Sequence, residues 1–244
     1  MNRVELQNVS VRYPAQRIPT LKEWVVRARG KRPAAVNALR DVTLSVAAGE
    51  AFGIIGRNGA GKSTLLRVIA GIIPPNRGEV VTRGALAPVI ELGTGFDGEL
   101  SGRENIFFNG SLLGRSRAFM RRCEEEIIDF SGIGAHIDSP LRTYSTGMVA
   151  RLAFSVATTI DAEIVLLDEV LAVGDASFRE KCEERIRGFH SNGATIVFVS
   201  HDLDSVRDLC SRAAWVEGGA LRAVGAAEEV IDAYEKARPH PKGT

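Results

Sequence analysis

The sequence predicts an α/β protein with a parallel sheet and an inserted helical stretch. Short apolar runs at Ala51–Ile55, Ile164–Leu167 and Thr195–Val199 have the length of buried strands, and helical patterns separate them. Strands that alternate with helices are typical of a parallel sheet. Between residues 101 and 159 the pattern is mostly helical. We therefore expect a helical subdomain at about residues 100–160 within a single domain that spans residues 1–238.

Further elements follow from local signals. Two strands are predicted near the N-terminus, at Val4–Tyr13 and Val42–Val46, and the second alternates apolar with polar residues. Ser101 and Glu104 have the spacing of a capping box. The remaining predicted elements are helices over Arg117–Phe130 and from about Gly147 to Thr158, a strand at Ala213–Val216, and a disordered tail at residues 239–244.

Bulk properties limit the function. The chain has 244 residues and a net charge of +1, so no overall field favours nucleic acid as a partner. No apolar run approaches the roughly 20 residues that a membrane-spanning helix needs, and residues 1–13 lack a signal-peptide core. Three widely spaced cysteines fit reduced thiols. We expect a cytosolic protein whose work at a membrane goes through a partner.

A glycine-rich turn follows the strand Ala51–Ile55. Its sequence, Gly-Arg-Asn-Gly-Ala-Gly-Lys-Ser at residues 56–63, fits the P-loop pattern, with Thr64 next and a helical pattern after it. Glycines let backbone N–H groups surround phosphates, and the helix adds its positive end. Lys62 is expected to pair with phosphates and Ser63 to ligate Mg²⁺. The predicted nucleotide-binding residues here are Asn58, Gly59, Ala60, Gly61, Lys62, Ser63 and Thr64.

Two carboxylates end the strand Ile164–Leu167. A buried parallel strand places such charges at the carboxyl edge of the sheet, beside the P-loop. Asp168 is expected to be a direct or indirect Mg²⁺ partner, and Glu169 to orient and deprotonate the attacking water. Many strands end in Asp, so the pair is informative only together with the P-loop.

A third motif narrows the class. Tyr144-Ser145-Thr146-Gly147-Met148 precedes a helical pattern and resembles the signature of ABC ATPases, whose common form is Leu-Ser-Gly-Gly-Gln. Ser145 alone would also fit an ordinary helix N-cap, the less favoured alternative. With the P-loop before it and the acidic strand after it, the chain is identified as a member of the ABC ATPase family over nearly its whole length.

The resemblance implies a P-loop NTPase (RecA-like) core with an antiparallel β subdomain and an inserted α-helical subdomain. It implies ATP and Mg²⁺ as ligands, and a head-to-tail dimer in which each signature meets the partner's ATP. His201 is then expected to contact the γ-phosphate and the water, and Asp175 to lie along the dimer seam. Tyr13 would stack on adenine, although an ordinary strand aromatic is nearly as good an explanation.

Three departures resemble one branch, the ATPase subunits of bacterial exporters for O-antigen, capsule or teichoic-acid polymers. They are the altered signature, Leu171–Ala176, and Gly95–Asn105. Most ABC ATPases carry a glutamine that touches Mg²⁺ where this chain has Glu91 or Leu92, so Glu91 is expected to ligate the cation instead.

The expected function is ATP hydrolysis that drives a membrane-spanning permease, at the cytoplasmic face of the membrane. The alternatives are an importer's ATPase, an exporter for another substrate, and a non-transport ABC ATPase. A basic stretch at residues 17–37 carries six basic residues, one acid and Trp24. It is either a solvated loop or a contact with the permease, the headgroup region and a lipid-linked glycan.

Overall fold

The computed structural model describes residues 1–14, 35–90, 92–159, 162–168 and 174–237. The helices in those ranges are α1 (Lys62–Ile69), α2 (Gly102–Leu112), α3 (Arg117–Ser131), α4 (Thr146–Thr158), α5 (Ala176–Ser191), α6 (Leu203–Leu209) and α7 (Ala227–Ala237). The strands are β1 (Asn2–Tyr13), β2 (Val36–Ala47), β3 (Ala51–Ile55), β4 (Arg77–Thr82), β5 (Leu86–Val89), β6 (Ile164–Asp168), β7 (Thr195–Val199), β8 (Arg212–Glu217) and β9 (Ala220–Ala226).

The main sheet has six strands in the order β5-β6-β7-β3-β8-β9. All neighbours pair in parallel except β8 and β9, which form an antiparallel hairpin. Every residue of β3 and β7 is buried, as continuous apolar runs require when both faces of a sheet are covered. The predicted α/β class with a parallel core is confirmed.

The N-terminal strands form a separate antiparallel sheet in the order β2-β1-β4. The second predicted strand, Val42–Val46, is only the later half of β2, which begins at Val36. The expectation that the irregular segment extends to residue 37 is therefore wrong, because Val36 and Asn37 already pair with Tyr13 and Arg12 of β1.

Helices α2, α3 and α4 pack around a core of their own. Its fully buried members include Ile106, Ile127 and Leu152, one from each helix. The capping box at the start of α2 is confirmed: Ser101 N–H donates to Glu104 Oε2 at 2.8 Å, and Glu104 N–H donates to Ser101 Oγ at 3.2 Å. This is the inserted helical subdomain that the sequence predicts.

Three phenylalanine rings join the helical subdomain to the sheet layer. Phe130 of α3, Phe154 of α4 and Phe178 of α5 lie with centroids 5.7–6.0 Å apart. Aromatic pairs at this distance add to the free energy of burial. The contact fixes α4, and the signature at its start, relative to α5.

Candidate nucleotide-binding site

The P-loop lies between β3 and α1, as expected. Helix α1 begins at Lys62 after Gly61, with no side-chain cap and no acidic residue in its first turn. Its first N–H groups therefore lack an intrahelical or side-chain acceptor, and their partial positive charge suits an anion.

The Lys62 side chain is buried against the loop that precedes it. Its Nζ donates to the carbonyl oxygens of Gly56 at 2.9 Å and Arg57 at 3.3 Å. An ammonium group has three donors, so one remains for a phosphate oxygen. The loop's own carbonyls thus hold the lysine in place before nucleotide binds.

Backbone from two other elements braces the P-loop. Gly219, in the β8–β9 turn, donates its N–H to the carbonyl of Ala60 at 2.8 Å and accepts from Arg40 N–H at 2.7 Å. A Cβ on Gly219 would lie 2.7 Å from the carbonyl oxygen of Ala38, and one on Gly61 would lie 2.6 Å from the same atom. Only glycine permits this approach, and both residues have positive φ.

The carboxyl ends of β3, β6 and β7 meet at one edge of the sheet. Asp168, the last residue of β6, lines a cavity of about 650 Å³ together with Lys62 and Ser63. Asn58, Gly59, Gly61 and Thr64 line the same cavity. Carboxylate and hydroxyl oxygens are ligands that Mg²⁺ prefers, so the chemistry of Ser63 and Asp168 fits that cation.

The remaining sequence candidates at this edge are placed as follows. His201 follows β7 and is exposed, next to Asp202, the N-cap of α6. Tyr13 ends β1, is half-buried, and pairs with Val36, whose exposed side chain lines the cavity. Glu169 and Glu91 lie outside the described residues, as do residues 17–34 of the basic segment and the tail residues 239–244.

The signature residues line a different cavity, of about 520 Å³, at the start of α4. Ser145 caps the helix, and its Oγ accepts from Met148 N–H at 3.2 Å. A hydroxyl that accepts one bond still has its own proton to donate. Thr146 and Gly147 complete the turn, and none of the residues given for this cavity also lines the P-loop cavity.

Asp175 lies at the rim of the signature cavity and caps α5. Its Oδ1 accepts from Phe178 N–H at 2.9 Å and from Ser177 Oγ at 2.8 Å. The Phe178 N–H bond, followed by the Ser177 bond, holds the pKa of the Asp175 carboxyl below its usual value. Arg151 Nη1 approaches Asp175 Oδ2 to 3.9 Å and joins α4 to α5.

The sequence interpretation missed two parts of these cavities. Gly218 and Gly219 line the P-loop cavity, and a Gly-Gly pair between two strand-like runs is a hairpin signal that could have indicated the turn. Arg151 lines the signature cavity, but no spacing rule singles out one arginine on a helix.

Comparison with known families agrees with this geometry. The sequence profile of the family described as "ABC transporter" matches residues 39–172, a span that contains the P-loop, the signature and Asp168. The chain belongs to the ABC transporter family. The family resemblance inferred from the three motifs is thereby confirmed.

Several relatives of this ABC protein are export subunits. It is 50% identical over 200 residues to "O-antigen export system ATP-binding protein RfbB" of Klebsiella pneumoniae, which covers 82% of this chain and 81% of the relative. It is 44% identical over 199 residues to "Teichoic acids export ATP-binding protein TagH" of Lactiplantibacillus plantarum, covering 82% of this chain and 54% of the relative.

Solved structures of the same fold include two ATP-binding cassettes. "Structure of ATP binding subunit of ABC transporter" matches with a TM-score of 0.76 at 23% identity and covers 95% of this chain and 93% of that one. A dimeric post-hydrolysis ATP-binding cassette bound to ADP and Pi matches with a TM-score of 0.73 at 22% identity, covering 92% and 98%. These likenesses confirm the predicted fold.

Proposed function

We propose that this chain is the ATP-hydrolysing subunit of a bacterial ABC exporter that moves a lipid-linked polysaccharide of the O-antigen, capsule or teichoic-acid type. The observation that carries the proposal is the 50% identity to an O-antigen export ATP-binding protein across most of both chains. A teichoic acid export protein is similar at 44% identity, which supports the polymer class rather than one particular glycan.

Hydrolysis would use groups at the carboxyl edge of the sheet. Lys62 Nζ, already held by two carbonyls, would donate to the β- and γ-phosphates and balance the charge that builds on them. Glu169 follows Asp168 directly in sequence, and its carboxylate would orient the water and take its proton. His201 would contact the γ-phosphate and this water.

Ser63 and Asp168, whose side chains suit Mg²⁺, would bind the cation. Glu91 would be a further oxygen ligand in place of the family's glutamine. When bound, the cation would offset phosphate charge. The adenine would lie near Tyr13 and Val36. Val36 begins β2 and lines the cavity, and Tyr13 pairs with it across the sheet.

Two copies would assemble head to tail. The P-loop and the signature line separate cavities of one chain, which supports a site completed by the signature of a second copy. Ser145 Oγ–H and the N–H groups at the start of α4 would then donate to the partner's γ-phosphate, and Asp175 would lie along the seam.

The permease would dock on the helical subdomain. Among the described residues, no helix has the length and apolar character needed to cross a bilayer. Phe108 and Leu112 of α2 are 44% and 60% exposed and lie one helical turn apart. Leu112 also lies over the loop at Gly95. This apolar face suits a membrane subunit, and the chain would then lie at the cytoplasmic face of the membrane.

The test is complementation of an export-deficient strain. The chain, expressed with the membrane protein encoded beside it, should restore surface polysaccharide, and the purified complex should show ATPase activity that lipid-diphosphate-linked glycan stimulates. Stimulation by a solute-binding protein instead would indicate an importer, and an assembled complex whose ATPase activity does not respond to the glycan would contradict the proposal.

The lipid-linked glycan is proposed to approach near the basic segment, residues 17–37. Replacing Arg27, Arg29, Lys31 and Arg32 with Gln should leave the ATPase activity of the isolated subunit unchanged and reduce glycan export by the complex. Wild-type export by a fully assembled mutant complex would show that the segment is only a loop.

A further inference from the structure

Four arginines cluster at the start of α3, and we call them the arginine edge: Arg115, Arg117, Arg121 and Arg122. Other arginines of the helical subdomain, such as Arg103 and Arg142, have carboxylate partners. Within the described part of the chain, no carboxylate lies within ion-pairing distance of the arginine edge. Arg117, Arg121 and Arg122 are exposed.

The order of charges along α3 is the reverse of what the helix itself favours. Cations occupy its N-terminal half, while acids follow at Glu124, Glu125, Glu126 and Asp129. A helix dipole prefers anions at its N-terminus and cations at its C-terminus. The arginines therefore oppose the dipole of α3. A local preference that the sequence breaks in this way is often found at a functional surface.

Aromatic rings hold the guanidinium groups at the surface. The guanidinium carbon of Arg117 lies over Phe107 of α2, 5.8 Å from the ring centroid, and those of Arg115 and Arg122 both lie over Phe119 at 5.7 Å. A cation–π contact uses no N–H donor, so the exposed guanidinium groups of Arg117 and Arg122 keep theirs for another partner. The exposed Leu112 is the last residue of α2, and Arg115 follows after a short turn. The apolar face of α2 is therefore next to the arginine edge.

We propose that the arginine edge binds the anionic phospholipid headgroups of the membrane surface, beside the face where the permease would dock. This inference rests on the proposed function for its orientation toward the membrane. Clusters of about four or more basic residues on an amphipathic helix are typical of contact with anionic lipid. The exposed guanidinium groups of Arg117, Arg121 and Arg122 can each donate two N–H bonds to a separate phosphodiester.

The test uses the purified chain and vesicles of phosphatidylcholine with or without phosphatidylglycerol, measured by co-sedimentation. The wild type should bind phosphatidylglycerol vesicles preferentially, and added salt should weaken the binding. The variant Arg117→Gln/Arg121→Gln/Arg122→Gln should bind roughly a hundredfold more weakly. Its unfolding temperature should stay the same or rise, because cations leave the positive end of α3.

The matched control is Arg77→Gln/Arg187→Gln/Arg222→Gln, which removes the same charge from exposed positions elsewhere. It should bind almost as well as the wild type. Equal loss in both variants, or no preference of the wild type for phosphatidylglycerol, would overturn the proposal. So would binding that survives the α3 variant and disappears when Arg27, Arg29, Lys31 and Arg32 become Gln.

An acidic loop of the permease is the competing partner. If the α3 variant binds vesicles normally but no longer co-purifies with the membrane protein encoded beside it, the edge contacts that protein and the lipid proposal fails. Vesicle binding needs neither glycan nor permease, so failed complementation of export would contradict the proposed function without changing this result.

Discussion

Glu169 is the residue on which the proposed hydrolysis depends most. Replacing it with Gln keeps the size of the side chain and removes the proton acceptor, so ATP should still bind while turnover falls about 10²–10⁴-fold. With hydrolysis blocked, ATP should hold two copies together as a stable dimer in sizing chromatography. Steady-state turnover equal to that of the wild type would remove Glu169 from the catalytic role.

Gly219 is a residue whose importance only the structure reveals. Gly219→Ala would push a Cβ to 2.7 Å from the Ala38 carbonyl oxygen and displace the turn that bonds to Ala60 of the P-loop. We expect a higher KM for ATP, measured by steady-state kinetics. Gly193→Ala is the control, because Gly193 has φ of +85° against +83° for Gly219 but no atom within 4 Å of an added Cβ.

The two alanine variants separate backbone strain from the loss of a contact. Both place alanine in the left-handed region, at a cost of roughly 1 kcal/mol or more in the free energy of unfolding. Only Gly219→Ala should also change the affinity for ATP. Equal KM values in the two variants would mean that the β8–β9 turn does not position the P-loop.

At the scale of elements, buried and uninterrupted patterns were predictable and edge elements were not. Strands β3 and β7 have the predicted bounds because each is a fully buried apolar run next to a turn or polar segment. Strand β4 was missed because most of its residues are exposed, and β5 because it has only four residues and contains Pro88. Such strands carry little periodicity and are specified by their neighbours.

The N-cap of α5 gives a pH prediction at the same scale. Because its hydrogen bonds lower the pKa of the Asp175 carboxyl in the folded state, its charge stabilises the fold above the unfolded pKa of 3.8. That contribution disappears as pH falls through the lower folded pKa. Asp175→Asn keeps a capping oxygen and loses the charge, whereas Asp175→Ala loses both.

Thermal unfolding at a series of pH values checks this. At neutral pH the Ala variant should unfold at the lowest temperature, and the gap between wild type and Asn should narrow below about pH 4, where the aspartate begins to protonate. A gap that stays constant down to strongly acidic pH would show that the carboxylate charge does not stabilise α5.

At the scale of the whole molecule, the P-loop and the signature line separate cavities, as a head-to-tail dimer requires. The motifs were predictable one by one from sequence, since each is a short contiguous pattern with a chemical reason. That they line separate cavities of one chain depends on tertiary packing, which no contiguous pattern encodes.

A pair of purified heterodimers tests the head-to-tail arrangement. In the first, one chain carries Lys62→Ala and the other Ser145→Arg; in the second, one chain carries both changes and the other is wild type. Different affinity tags isolate each species. If Ser145 completes the partner's site, the first heterodimer has one intact site and should retain about half of the wild-type turnover, provided that each site fires alone.

The second heterodimer contains the same two substitutions and is therefore the control. In a head-to-tail dimer, each of its two sites contains one substituted residue, so its turnover should be close to zero. If Ser145 completed the site that contains Lys62 of its own chain, the result would be reversed. The wild-type chain would keep the second heterodimer active, and the first heterodimer would be inactive. The two arrangements differ only in which side chains share a site, so the comparison is independent of any effect of the substitutions on stability.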